Sequence, residues 1–214
     1  MKRVFHQFAN TTLDDYVPIN DSQMKVKEKV ALYTDKMDIR REKGRGLTLL
    51  GPAGVGKTML ASVILNKALE EGYRIEAMTV SGYIDLLLER SRLHDTIKSQ
   101  ESTEEAVDDL IATSHRIHEI QGWSGRKKAT DWVLFDDLGR EHESQSGWTQ
   151  VRLHDILRDR YNRGLPSLVT SNLPAAEIAR VYSDSLVSFL HEAAPIVEIQ
   201  STDHRSEPTW NEDS

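Results

Sequence analysis

Gly51-Pro52-Ala53-Gly54-Val55-Gly56-Lys57-Thr58 decides the fold of this chain. The stretch fits G-x-x-x-x-G-K-[ST] with no mismatch. Residues 46–50, Gly-Leu-Thr-Leu-Leu, predict a short buried strand running into it, and residues 59–70, from Met59 to Glu70, predict a helix leaving it. A strand, a glycine-rich loop and a helix form the context in which such a loop holds phosphates. The glycines let the backbone turn so that successive N–H groups point into one concavity, and the helix adds its unpaired N–H groups and positive dipole end. Lys57 can reach the terminal phosphates, and the Thr58 hydroxyl can ligate magnesium. The whole run from Gly51 to Met59 is therefore a candidate nucleotide-binding segment.

The composition agrees with a protein built around such a loop. The 214 residues are enough for one domain with a single core. Hydrophobic residues make up 38% and charged residues 29%, as in soluble globular chains. No apolar run reaches the length of a membrane span. The N-terminus, Met1-Lys2-Arg3-Val4-Phe5-His6-Gln7, has a basic start without an apolar signal core, so a cytoplasmic location is expected. The chain has no cysteine, which excludes disulfides and thiolate metal sites and suits a reducing compartment. A net charge of −7 argues against coating nucleic acid by bulk charge but leaves room for a local basic strip.

Residues 1–45 precede the first core strand as an N-terminal extension and linker helix, with a core over 46–205 and a polar tail at 206–214. Asp21 to Arg40 predicts a helix, with Met24, Val26, Val30, Leu32, Tyr33 and Met37 at roughly helical spacing. Arg40, Arg41, Lys43 and Arg45 then read as a basic loop. Tyr73 to Val80 alternates like a strand, and Ser81 is placed to cap the helix after it. The polar stretch 91–128 predicts a helix across Glu104–Ile120 and ends in loop composition. Asp131 to Phe135 predicts a buried strand, Ser146 to Arg163 a helix with Trp148, Val151, Leu153, Ile156, Leu157 and Tyr161 as its apolar positions, and Pro166 to Thr170 another strand. Short helices follow Pro174, and Pro195 to Ile199 predicts a last strand. Five strands alternating with helices imply a mostly parallel sheet covered on both faces, whose ligands bind beyond the strands' carboxyl ends.

Two further motifs fall at such ends. Asp136-Asp137, after the strand Trp132–Phe135, supplies one acid for magnesium, held through water, and one, Asp137, to orient or deprotonate an attacking water. Ser171-Asn172 puts a carboxamide at the end of the next strand, where it can hydrogen-bond a γ-phosphate and that water. An acidic turn and a turn-forming asparagine are the plainer readings of each motif alone.

In this order and spacing the motifs resemble the AAA+ ATPases, and within them the DnaC-type helicase loaders and the related IstB transposition helpers. The likeness rests on Thr12-Leu13-Asp14-Asp15-Tyr16, on Gly51–Thr58 with Met59-Leu60-Ala61, on Leu134-Phe135-Asp136-Asp137-Leu138-Gly139, on Asp155-Ile156-Leu157-Arg158-Asp159-Arg160-Tyr161, and on Thr170-Ser171-Asn172-Leu173. It covers residues from about 10 to about 205. The resemblance implies a P-loop NTPase (AAA+) three-layer sandwich, with a five-stranded sheet and no separate lid domain. It implies ATP and magnesium as ligands, Mg-dependent hydrolysis, and a role in DNA replication through single-stranded DNA and a DnaB-like replicative helicase. Self-association on ATP would accompany that role. By the same likeness Tyr16 and Val17 lie near the adenine, Asn172 is the sensor residue, and Arg205 approaches the nucleotide.

The sequence departs from the family in two places. Ser185 stands where an arginine donated to a neighbour's ATP is looked for, and Arg180 is a candidate stand-in. Hydrolysis without that cation is expected to be slow. The chain also has little room ahead of the core for a helicase-binding region, so Phe5–Phe8 or the stretch 91–128 is the expected partner contact. An IstB-like transposition helper and a weakly hydrolysing adaptor or inhibitor remain alternatives. Arg40, Arg41, Lys43 and Arg45, and Arg126, Lys127 and Lys128, are candidates for a DNA backbone or for plain solvated charge. Arg152, Arg158, Arg160 and Arg163 interleave with Asp155 and Asp159, which predicts surface ion pairs. Trp123 and Trp132 are candidates for stacking on bases, with core the plainer reading of Trp132. The eight histidines show no metal-ligand spacing.

Overall fold

The computed structural model describes residues 5–99, 103–123, 129–140 and 147–200. Five strands, β1 (Leu47–Leu50), β2 (Ile75–Thr79), β3 (Trp132–Leu138), β4 (Ser167–Ser171) and β5 (Ile196–Glu198), form one sheet in the order β2-β3-β4-β1-β5. Every pairing is parallel. Helices α1 (Asp21–Thr34) and α2 (Met37–Glu42) precede the sheet; each connection within it must cross over, and the crossovers carry α3 (Lys57–Glu70), α4 (Val80–Lys98), α5 (Glu104–Gln121), α6 (Trp148–Asn162), α7 (Ala175–Val181) and α8 (Asp184–Ala193).

Alternation along β3 divides the core into two layers. Trp132 and Leu134 join Val26, Val30 and Tyr33 of α1 and Leu60, Ile64 and Leu65 of α3 on one face. Val133 and Phe135 join Tyr83 and Leu87 of α4, Ile117 and Ile120 of α5, and Leu153 and Ile156 of α6 on the other. Both faces of this inner strand are thus apolar, as burial on two sides demands. The result is a three-layer α/β sandwich of the expected class.

Several boundaries differ from the sequence expectation. The helix expected over 21–40 is two, broken after Thr34. Met24 and Leu32 lie outside its buried stripe, as Val151 does on α6. Thr79, not Ser81, caps α4: its hydroxyl accepts from the Gly82 N–H at 3.0 Å. The helix then runs on to Lys98, through part of the stretch whose polarity obscured it. β3 extends through Asp136 and Asp137 to Leu138, with its pairing to β4 shifted between Phe135 and Leu138.

The arginine of α6 expected at the surface is the main correction. Arg160 is fully buried, and its five donors all find acceptors: Nε donates to Ser167 Oγ at 3.1 Å, Nη1 to the carbonyls of Ile120 and Thr130, and Nη2 to those of Asp131 and Pro166. Burial pulls its pKa down to about 9, which leaves it charged at neutral pH. The basic stretch 40–45 is likewise committed. Arg41 donates twice to the Asp131 carboxylate and once to the Gly164 carbonyl, Arg40 lies over the Tyr33 ring, and Arg45 donates to the Glu192 carbonyl.

Candidate nucleotide-binding site

β1 ends at Leu50 and delivers the chain into the glycine loop, which becomes α3 at Lys57. No side chain caps α3 at Gly56. A helix N-terminus without a cap, facing a loop of turned backbone, is the arrangement that receives an anion. Gly56 has φ 89°, and a Cβ there would stand 2.6 Å from the ring of Tyr16, so both backbone and space require glycine. Tyr16 lies buried against the loop and donates its hydroxyl to the Val55 carbonyl at 3.1 Å. Burial pushes that phenol up to about 12, so it remains a donor. Val17, its neighbour, is exposed.

Lys57 is buried, and its ammonium donates to the Gly51 carbonyl at 2.8 Å, to the Pro52 carbonyl at 2.7 Å and to Asn172 Oδ1 at 2.7 Å. The loop thereby holds its own lysine, and the contact to Asn172 reaches the carboxyl end of β4. Thr58 donates to the Asp136 carboxylate at 2.9 Å. Thr170 of β4 donates to the same carboxylate at 2.5 Å and accepts the Asp137 N–H at 3.0 Å. The ends of β1, β3 and β4 are adjacent in the sheet, which is why residues far apart in sequence meet here.

The two acids differ in setting. Asp136 is buried, and burial pushes its carboxyl above the usual carboxylate value. Hydrogen bonds from Thr170 and Thr58 and the charge of Lys57 oppose that shift, and the charge of Asp137 adds to it. Asp137 has φ 59°, a left-handed conformation uncommon for a residue with a side chain. This kink in β3 turns its carboxylate toward solvent, where Arg140 pairs with it at 3.3 Å.

Two of the oxygen donors at this site suit magnesium. The Thr58 hydroxyl and the Asp136 carboxylate are hard oxygen ligands already in contact, and the buried carboxylate carries a charge that a dication would offset. Magnesium keeps several waters and takes only one or two protein ligands beside phosphate oxygens, so two suffice. The described residues contain no cluster of three or more His, Cys, Asp or Glu placed for a metal.

Gly51, Pro52, Ala53, Gly54, Val55, Gly56, Lys57, Thr58 and Met59 are thus contiguous in the loop and first helical turn, with Asp136, Asp137 and Asn172 gathered beside them. Arg205 and the basic run Arg126-Lys127-Lys128 lie outside the described residues. Ser185 is exposed on the first turn of α8, and Arg180 pairs with Glu177 on the surface of α7. Trp123 is half-exposed under the Arg163 guanidinium. A groove of about 790 Å³ runs between α4, α5 and α6, away from the loop. It mixes Arg90, Arg152 and Arg158 with Asp155 and Asp159.

Sequence reasoning missed Thr170 and Arg140. Thr170 stood within the quoted Thr-Ser-Asn-Leu stretch, and its side chain points from β4 toward the neighbouring strand's acid. Arg140 carried only the signal of a cation three residues after an acid.

No family model matches the sequence. In structure the chain is similar to the DnaC helicase loader, at 24% identity and a TM-score of 0.66, covering 92% of this chain and 100% of that one. It is similar to DnaI at 21% identity and a TM-score of 0.61, covering 94% of each chain. It is also similar to the replication initiator DnaA bound to AMPPCP and single-stranded DNA, at 18% identity and a TM-score of 0.63, covering 93% of this chain and 51% of that one. At these identities the likeness is one of fold: the chain has the parallel α/β sandwich of these proteins, the fold class expected from its motifs.

Proposed function

We propose that the protein is a magnesium-dependent ATPase that works as a nucleotide switch of the helicase-loader type in DNA replication. In that role it binds single-stranded DNA, places a DnaB-like replicative helicase, and self-associates on ATP. The observation that carries the reading is the network joining three motifs at one end of the sheet: Lys57 to Asn172, and Thr58 and Thr170 to Asp136. Its neighbours in fold include a helicase loader and a nucleotide-bound replication initiator, which supports the choice of ATP and of replication.

Each residue has a task that follows from its position. Lys57 exchanges the loop carbonyls and Asn172 for phosphate oxygens, and the helix N-terminus after Gly56 receives the same anion. Asn172, released from Lys57, is left to bond the terminal phosphate, which makes it a reader of nucleotide state. Thr58 and Asp136 would hold magnesium, which would supply charge neutralisation for phosphoryl transfer. Asp137 orients the water and takes its proton. Among the described residues no helix is long and apolar enough to cross a membrane.

Calorimetry with Mg·ATP on wild type and Lys57→Ala tests the site, and capture of partners with and without ATP tests the role. Heat from wild type alone, with ATP-dependent capture of a hexameric helicase, is the expected result. No heat from wild type ends the reading. Capture that ignores both ATP and Lys57→Ala makes the protein an adaptor, and capture of a transposase moves it to the IstB-like role.

A further inference from the structure

The turn after the paired acids carries a cation that the three motifs leave unused. Arg140 closes the turn Asp137-Leu138-Gly139-Arg140: its N–H donates to the Asp137 carbonyl at 3.3 Å, and its guanidinium pairs with the Asp137 carboxylate, also at 3.3 Å. The left-handed φ of Asp137 and the φ of 96° at Gly139 fold the turn back. A Cβ at Gly139 would stand 2.5 Å from Leu173, so the turn lies flat against the residue that follows Asn172. Arg140 is therefore held at the mouth of the site by the same backbone kink that aims Asp137.

Charge and reach both favour its use. Among the described residues, Arg140 joins Lys57 as a cation beside the carboxylates of Asp136 and Asp137, where an anion must bind. A water held by Asp137 lies about 3 Å from that carboxylate and about 3 Å from the atom it attacks. The Arg140 guanidinium, 3.3 Å from the same carboxylate, is within one side-chain swing of the transferring group. The arginine side chain is 66% exposed, and ion pairs of that kind are weak and exchange readily for another anion.

Resting on the ATPase reading above, we propose that Arg140 is a catalytic arginine acting in cis. It leaves Asp137 for the oxygens of the transferring phosphoryl group, and in doing so frees the carboxylate for water. The water oxygen then bonds to the γ-phosphorus, and the bond from that phosphorus to the bridging oxygen breaks, its electron pair staying on ADP. The water proton passes to Asp137 and on to solvent. Arginine is suited to the role because its fork meets two phosphoryl oxygens at once. Arginines supplied in cis serve phosphoryl transfer elsewhere.

The test compares wild type, Arg140→Ala and Arg140→Lys in single-turnover hydrolysis at saturating Mg·ATP, with nucleotide affinity measured by calorimetry. Arg140→Ala is expected to slow hydrolysis by about tenfold or more while affinity stays near wild type, and Arg140→Lys to restore part of the rate. Thermal melting checks that both variants stay folded. An unchanged rate in Arg140→Ala overturns the inference, and so does a faster one, which would make the pair a restraint on Asp137. A wild type that binds ATP without hydrolysing it also overturns it, leaving nucleotide binding intact. A wild type that binds no ATP removes the ATPase reading itself.

Discussion

At the amino ends of β3 and β4, Arg160 directs five donors at four main-chain carbonyls and one hydroxyl. At the carboxyl ends of β1, β3 and β4, Lys57 directs its donors at two loop carbonyls and an asparagine side chain. Both cations are buried and well bonded, yet they are bonded to different things. The carbonyls around Arg160 belong to Ile120, Thr130, Asp131 and Pro166, flanking α5, β3 and β4, and cannot turn away without unfolding those elements. The acceptors of Lys57 are a glycine-rich loop and a rotatable amide, which can let go. A buried charge in a rigid cage ties the fold together, whereas one held by a loop waits for a ligand.

The contrast can be broken most forcefully at the caged end. Arg160→Met removes the guanidinium donors from four carbonyls and from Ser167 and is expected to cost about 3–5 kcal/mol of folding stability in urea unfolding. The folded fraction should still bind Mg·ATP with near-normal affinity; a parallel loss of affinity would mean the two ends are coupled. Lys57→Ala is the converse case. Mg·ATP at a hundredfold excess over its dissociation constant should stabilise wild type by about 2.7 kcal/mol, and this ligand-dependent rise in Tm should vanish in the variant while the ligand-free Tm moves far less.

Asp136 sharpens the comparison through pH. Its folded pKa is raised, chiefly by burial. The folded protein therefore holds that proton more tightly than the unfolded chain, so the stability from this group is full below the ordinary carboxylate value. It falls as pH rises through the raised one. Asp136→Asn, neutral at all pH, should therefore raise the ligand-free Tm at neutral pH and lose the magnesium-dependent part of nucleotide binding. A lowered ligand-free Tm would show that the hydrogen bonds from Thr58 and Thr170 outweigh the burial of charge. The smallest effect belongs to His154, whose pKa burial and then Arg158 hold below the ordinary histidine value. The unfolded chain takes up that proton first as pH falls, so stability should decline through the ordinary histidine range. His154→Gln should flatten that slope slightly in melts between neutral and mildly acid pH.

The sheet was legible because its strands are short apolar runs punctuated by glycine, aspartate and proline, and both core faces of β3 are visible in Trp132-Val133-Leu134-Phe135. The glycine loop and Asp136 were legible because their chemistry needs fixed residue types at fixed spacing. Arg160 was not. The other arginines of its helix stand three or four residues from Asp155 or Asp159, as surface pairs do, and Arg160 sits among them, while three of the carbonyls that claim it lie 29 to 40 residues away in sequence. The kink at Asp137 was also hidden, since a positive φ on a non-glycine residue is set by what lies around it rather than by local sequence. The end of β3 was placed short for the same reason. Nothing local told Thr79 from Ser81 as the cap of α4, because both are good capping residues and only the backbone exit from β2 chooses between them.

Tyr16 packs under Gly56 and grips Val55, while the Asn66 side chain clasps the carbonyls of Phe8 and Thr11. The leading strap from Phe5 to Tyr16 and the glycine loop are by this joint a single mechanical part. Tension applied to the strap arrives at the turned backbone of Val55 and Gly56, so a pull on the leading residues is felt where the glycine loop bends into its helix.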